Sequence, residues 1–427
     1  MARNVYIVDG SRSPQLKARG RQGLFSASDL AVQSAKPLLL RNAALFEHID
    51  EVILGCIMPG PDEANIARVV SLRLGIPLSV PAWTVQRNCA SGMQSIDSAY
   101  HNIQSGLSDI VLAGGVEAMS RAPVLHNDQM VNWLGGLASA KTPVLKIKQL
   151  FKLRPAYFKP VIALLRGLTD PVVGLNMGQT AEEIAYRFDI SRKQMDEFAV
   201  ASHQRLARAY DEGVMDEVEV LYDTNGNCYE QDDGLRRDSS LESLARLRSA
   251  FDKQYGNVTA GNSAQITDGA SWVLLASEKA VKKYNLSTIA KITDSQWAGL
   301  DPAVMGMGPI HAMTPIMKRK KLSIKDIDYW EINEAFAAQV LGCVAAWNTK
   351  DYCAQYLNLK SAIGEIPHER LNIDGGGISL GHPVGASGAR IVLHLAKILE
   401  RKNAKRGIAS LCIGGGQGGA MLIERED

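Results

Sequence analysis

An internal repeat constrains this chain more than any other feature. Ala90-Ser91-Gly92 opens a helical stretch, MQSIDSAYHNIQSG, that runs into the apolar strand DIVLAGG. Ala386-Ser387-Gly388 opens a second, ARIVLHLAKILERKN, that runs into IASLCIGGG. Helix and strand recur in the same order roughly 300 residues apart, the mark of a duplicated unit. Short apolar runs at 5–8, 52–54, 110–113 and 409–413 read as buried strands, and the helical stretches between them make each copy α/β. Between the copies the rhythm changes. Long helical patterns occupy 180–188 and 191–212, the second opened by a Ser191/Gln194 capping box. DTNGNCYEQDDGLRRDSS follows as a loop with a turn at Asn225-Gly226. The expected organisation is a first half at 1–119 plus 256–285, an inserted, mostly helical loop domain at 120–255, and a second half at 286–427.

Composition narrows the function classes. The 427 residues are 46% hydrophobic, enough for substantial cores. With 47 basic against 45 acidic side chains, no global field points to nucleic acid. The six cysteines are far apart, with no C-x-x-C pair or His/Cys cluster, so neither a metal site nor a disulfide framework is expected. The N-terminal stretch has no signal-like apolar region and no Arg/Ser-rich transit character, which favours a cytoplasmic setting. No apolar run approaches the roughly 18 residues of a membrane span.

Four places hold residues suited to chemistry. Cys89, in Asn88-Cys89-Ala90-Ser91-Gly92, stands at an expected helix start, where the dipole and free N–H groups lower a thiol's pKa; a buried structural cysteine is the other reading. His382 lies within DGGGISLGHPVGASGAR, whose glycines keep backbone close to something and whose histidine can serve as base or donor. Cys412 precedes a glycine string that formally satisfies G-x-G-x-x-G. The strand-like AMLIE follows it where a dinucleotide site needs a helix, so a strand-turn-strand is expected, with Gly414 among the amides that could serve an oxyanion. Asn333-Glu334 sits between the strand-like 329–332 and a helix, where Asn333 either works in a site or caps the helix.

NCASGMQS, GGVEAMS, AGN followed by TDGA, NEAFAAQ, GGGISLGHPVGASGAR and CIGGGQGG occur together in this order across nearly the whole chain. In that set the sequence resembles the thiolase family. The resemblance implies the thiolase fold: two duplicated α/β halves in a layered αβαβα arrangement, with an inserted loop domain. It implies an acyltransferase that uses coenzyme A as substrate, without a permanently bound cofactor. Cys89 then matches the acylated nucleophile, His382 the histidine that activates it, and Cys412 the second, acid/base cysteine. Asn333 matches the asparagine that holds a water in a first oxyanion hole completed by His382, while the amides of Cys89 and Gly414 match a second hole. Arg236 and Met177 match CoA-contacting positions. Ser263 is one position from a serine that touches the pantetheine in short-chain relatives, and Asn176 replaces their histidine. Both departures speak against a strict acetoacetyl-CoA enzyme and for 3-ketoacyl-CoA thiolysis in fatty-acid β-oxidation, the biosynthetic acetoacetyl-CoA thiolase being the alternative. A ketoacyl synthase would use a second histidine where this chain has NEAF and Cys412. A nicotinamide dehydrogenase would need a glycine motif between strand and helix.

The segment 130–169 contains no acidic residue but seven basic ones, Lys146, Lys148 and Lys152 among them. Val144, Ile147, Leu150 and Phe151 recur at helical spacing, and Pro155 and Pro160 break the stretch. A basic, apolar, helical segment fits an interface, with Lys148 snorkelling past the apolar stripe; a solvated basic face is the plainer reading. The resemblance to thiolases of fatty-acid oxidation complexes, which carry an extended insertion here, implies contact with an anionic membrane or a hydratase/dehydrogenase subunit. It also implies a homodimer or dimer of dimers.

Overall fold

The computed structural model describes residues 3–426; Met1, Ala2 and Asp427, the extremes of the two expected halves, lie outside the described residues. The main strands are β1 (Val5–Arg12), β2 (Glu51–Gly55), β3 (Ala82–Val85), β4 (Ile110–Ala118), β5 (Thr267–Ser277), β6 (Ala290–Gly299), β7 (Tyr329–Ile332), β8 (Arg406–Ile413) and β9 (Gln417–Glu424). They line up in the spatial order β7-β8-β9-β6-β1-β5-β4-β2-β3, and the short strand Leu16–Lys17 adds to β5. β1 and β6 meet antiparallel over Val5–Ile7 and Ala290–Ile292 alone, and this seam joins the two halves.

The duplication is explicit in the pairing. β2 runs parallel to β4 and β4 antiparallel to β5; β7 runs parallel to β8 and β8 antiparallel to β9. In the first half residues 119–266 connect the antiparallel pair. In the second, the turn Gly414-Gly415-Gly416 does so, with Gly415 and Gly416 at φ 91 and 75. This is the strand-turn-strand expected around Cys412, and no helix follows the glycines.

Strand alternation sorts the apolar side chains into layers. Ile53, Val111, Ala113, Val273 and Leu275 from one half join Ala409, Leu411 and Met421 from the other around the helices Ser91–Ser105 and Val384–Arg401. Their neighbours Val52, Leu54, Leu112 and Trp272 face outward onto Ala27–Arg41, while Ile408 and Leu422 face Gly308–Lys320 and Ala337–Trp347. Helix, sheet, helix pair, sheet, helix is the resulting order, with the core divided between the intervening spaces.

The two central helices explain the repeated Ala-Ser-Gly. A Cβ on Gly92 would lie 2.8 Å from the Ala389 nitrogen, and one on Gly388 would lie 2.5 Å from the Met93 nitrogen. Only glycine lets the helices approach this closely, so each copy of the repeat supplies one side of the contact. This crossing sets the first turns of both helices beside each other.

Residues 119–266 contain Asp128–Ser139, Pro143–Leu150, Met177–Arg187 and Arg192–Asp211 as their longer helices. Ser191 and Gln194 form the reciprocal capping box, and Asn225-Gly226 lies in the turn of the hairpin Leu221–Tyr222/Cys228–Tyr229. Buried charges fasten this insertion to both halves. Arg12 of β1 binds Asp232 through two bonds of 2.7 and 2.9 Å; Glu217 accepts from Arg12 and contacts His394 Nδ1 at 2.9 Å. No described helix is long and apolar enough to cross a membrane.

Candidate active site

Cys89 lies immediately before the residue that caps Ser91–Ser105, in a loop held from both sides. Ser91 Oγ donates to the Asn88 carbonyl at 2.7 Å and accepts the Arg87 amide at 2.9 Å. Asn88 takes the left-handed conformation at φ 42, which asparagine tolerates better than most residues. Its amide donates to the Gly414 carbonyl at 2.8 Å, so the loop after β8 is pinned under the nucleophile from 326 residues away. With Gly414 held there, its backbone amide and that of Cys89 itself favour the thiolate form of Cys89. The expectation of a lowered thiol pKa is corrected by this geometry. Burial is the largest influence and pushes the thiol above its ordinary value, with the two amides opposing it only in part.

Cys412 is fully buried, and burial raises its thiol well above the usual range. The charge of Cys89 acts in the same direction, followed by that of Cys343, so a thiolate at Cys89 makes proton loss from Cys412 harder still. Two adjacent thiols in this state favour one proton between them over two anions.

His382 is buried on the approach to Val384–Arg401. Its Nδ1 lies 2.6 Å from Ser387 Oγ, and that hydroxyl donates to the Pro383 carbonyl at 3.1 Å. Ser387 thus holds the ring at Nδ1 and leaves Nε2 outside this contact. Nε2 has no partner among the described residues. Burial, aided by the Arg390 charge, takes the imidazole down to about 4, so it is a neutral base at physiological pH. Asn333 Nδ2 stands 3.4 Å from His382 Nδ1, and Asn333 Oδ1 is likewise buried without a partner. Asn333 does not cap a helix: the helix begins at Ala337, with Phe336 at its cap. Buried unpartnered atoms of this kind are costly outside a site that satisfies them with substrate.

Cys89, Gly414, Cys412, His382 and Asn333 are thus gathered at the ends of the central helices and of β7 and β8. Met177 borders them, its Sδ 3.4 Å from where a Cβ on Gly414 would stand. Ser263 reaches the Asn333 loop through a bridge to Phe336, with its hydroxyl donating to the Thr259 carbonyl at 2.6 Å. Arg236 lies beside His203 and Lys17; its backbone amide meets His203 Nδ1 at 3.2 Å, and its guanidinium forms no ion pair among the described residues. Sequence reasoning missed Ser91 and Ser387, which occupy the same place in the two Ala-Ser-Gly repeats and hold the nucleophile loop and the histidine. The repeat itself was the signal. Glu334 holds the glycine loop ahead of His382, accepting from Ser202 Oγ at 2.7 Å, Asn372 Nδ2 at 2.9 Å and the Ile378 amide at 3.2 Å.

A layered duplicated α/β fold with two thiols and a neutral histidine at the helix ends defines a class of thiol-dependent acyltransferases. Residues 5–279 match the thiolase N-terminal domain and 286–425 the thiolase C-terminal domain. The mitochondrial 3-ketoacyl-CoA thiolase of Mus musculus is 37% identical over 429 residues, covering 99% of each chain. The mitochondrial trifunctional enzyme subunit beta of Bos taurus is 34% identical, covering 99% of this chain and 88% of the relative. The structure of human mitochondrial 3-ketoacyl-CoA thiolase in complex with CoA superposes with a TM-score of 0.84 at 35% identity, covering 100% of this chain and 98% of that one. The chain belongs to the thiolase family and is an acyltransferase.

Proposed function

We propose that the protein cleaves 3-ketoacyl-CoA with free CoA to give acetyl-CoA and a shortened acyl-CoA, Cys89 carrying the acyl group between the two steps. The observation that carries this reading is the Asn88 bond that fixes Gly414 beside the Cys89 loop, together with a neutral His382 whose Nε2 is buried and unpartnered. A thiol raised by burial is a poor nucleophile until a base removes its proton during attack, and His382 is suited to that step. Attack on the 3-keto carbon forms an oxyanion that the amides of Cys89 and Gly414 stabilise. Cleavage then expels an enolate. His382 and Asn333 stabilise its oxygen while Cys412 protonates its carbon. Cys412 next takes the thiol proton of CoA, which attacks the acyl-enzyme. The raised pKa of Cys412 suits a group that must be a protonated acid in one step and recover its proton in the other.

Arg236, Met177 and Ser263 form the CoA side of this reading, supported by the unpaired Arg236 guanidinium and the place of Met177 beside Gly414. The division into 1–119 plus 256–285, 120–255 and 286–427 belongs to the same reading, the insertion covering the acyl and CoA path. β3 lies at the free end of the sheet with Trp83 part-exposed and leads directly to the nucleophile loop, which supports a homodimer formed there, or a dimer of dimers. Six unpaired cysteines accord with a cytoplasmic setting.

Pro143–Leu150 packs against Asp128–Ser139 through Trp133 Nε1 and the Gln149 carbonyl, 2.8 Å apart. Val144, Ile147 and Leu150 remain more than half exposed, and Phe151 is 82% exposed. A hairpin that leaves its apolar stripe uncovered beside Lys146, Lys148 and Lys152 supports contact with an anionic membrane or a hydratase/dehydrogenase subunit during β-oxidation. A series of 3-ketoacyl-CoA substrates of increasing length tests the reaction: turnover should be best at medium or long chains. Activity on acetoacetyl-CoA alone would favour the biosynthetic alternative, and no thiolysis would refute both. Liposome flotation and pull-down with Lys146, Lys148 and Lys152 changed to Glu should show weakened association; indifference in both assays would remove the hairpin from the proposal.

A further inference from the structure

Glu117 closes β4 with its side chain wholly buried and no cation paired to it among the described residues. An uncompensated carboxylate in a protein interior is costly unless hydrogen bonds satisfy it. Oε2 accepts the Ile57 amide at 3.0 Å; Oε1 accepts the Met58 amide at 2.9 Å and the Cys56 thiol at 3.7 Å. Gly385, in the first turn of Val384–Arg401, packs directly on the carboxylate: a Cβ there would lie 2.7 Å from Oε2, and its backbone amide favours the charged form. The residues on either side are equally constrained. A Cβ on Gly55 would lie 2.5 Å from the Ser91 carbonyl oxygen and 2.6 Å from the Gly92 amide, so the segment that Glu117 holds is itself pressed against the start of the Cys89 helix.

One carboxylate therefore grips the loop that abuts the Cys89 helix and the first turn of the helix that His382 leads into. We propose that Glu117 is a positioning residue that sets the register between the Cys89 loop and His382. The inference rests on the assignment of those two residues as nucleophile and base. A carboxylate suits the role because both oxygens accept and the N–H groups of a helix start favour negative charge. Its environment includes the thiols of Cys56 and Cys89 and the carboxylate of Glu63; burial takes Glu117 itself up to about 7.

The test uses full-length Glu117→Gln and Glu117→Asp beside Leu38→Ala, a buried truncation that removes apolar packing and none of the groups bonded to Glu117. Glutamine presents an N–H where an amide needs an acceptor, and aspartate is too short to reach both segments. Misplacement of reacting groups by about 1 Å costs on the order of 100-fold, so both Glu117 variants should lose roughly that in kcat with KM within about twofold. Leu38→Ala should keep its kcat at temperatures where it is folded. Alkylation of Cys89 by iodoacetamide should begin at lower pH in Glu117→Gln, because a negative charge near the thiol is gone, and stay unshifted in Glu117→Asp. Folded variants with wild-type kcat overturn the proposal. Insoluble product from both Glu117 variants also overturns it, since the carboxylate would then serve the core alone. Absence of an acyl group on Cys89 in the wild type would instead refute the site assignment beneath it.

Discussion

The two halves are copies of one scaffold put to different use. In the first, the loop between the antiparallel strands has grown into residues 119–266, and Cys89 stands just before the central helix. In the second, the same connection is a three-glycine turn, and His382 stands just before the central helix. The short turn sets Gly414 beside the Cys89 loop, and the long insertion brings Met177 to the same place. The helices differ beneath the surface too. Asp97 in Ser91–Ser105 is satisfied by Ser295 Oγ at 2.5 Å and Trp297 Nε1 at 2.9 Å, whereas Val384–Arg401 sends His394 between Glu217 and Asp374, with Arg401 on Asp374 at 2.5 Å. Duplication thus supplied equivalent positions, and divergence gave one helix a carboxylate satisfied within the sheets and made the other a charged anchor for the insertion.

Exchanging roles between the halves is the sharpest way to break this comparison. Cys89→Ala should abolish thiolysis and acyl-enzyme formation while leaving the fold intact, because no second-half thiol is placed to accept the acyl group. A labelled acyl group appearing on Cys412 by mass spectrometry would mean that the two thiols share the task. Cys412→Ser should slow carbon–carbon cleavage by about 10²-fold or more and affect acylation of Cys89 by a simple acyl-CoA far less, since only cleavage needs proton transfer at carbon. Equal losses in the two half-reactions would contradict the division of labour.

Smaller effects sharpen the comparison further. Ser387→Ala frees the His382 ring and should cost about tenfold in kcat, as lost orienting contacts of this kind do. Ser91→Ala, its counterpart, should disturb the Cys89 loop and appear instead as slower alkylation of that thiol; identical behaviour of the pair would deny the distinction. The anchor concerns stability. His394 is raised from 6.5 to about 10 by Glu217 and Asp374 against burial, so its contribution is complete below pH 6.5 and disappears as pH climbs through 10. Asp374, lowered from 3.8 to about 2 by His394 and Arg401 against burial, contributes above 3.8 and loses that contribution as pH falls through 2. The anchor is therefore strongest between these limits, from about pH 4 to 6.5. Glu217→Gln, which leaves His394 and Arg12 partly unpaired, should cost about 3 kcal/mol, read from denaturant melts across that range. A loss under about 1 kcal/mol would make the network incidental.

Local pattern carried much of this protein into view. Short apolar runs marked the strands, the Ser191/Gln194 box marked a helix start, and the repeated Ala-Ser-Gly announced the duplication. These signals are legible because each is contained within a few residues and answers to backbone geometry alone. The motifs around Cys89, His382, Asn333 and Cys412 also stand in the sequence as strings. What each residue experiences does not. A helix start argued for a lowered Cys89 pKa, and burial by distant chain reversed the sign. The position of Asn333 allowed a cap, and the helix began four residues later. Ser387 holds the His382 ring, Gly414 meets the Cys89 loop across the whole second half, and the apolar stripe of Pro143–Leu150 stays uncovered, none of which adjacent residues encode. Desolvation and long-range hydrogen bonding are sums over everything the fold brings near, so only the tertiary structure decided them.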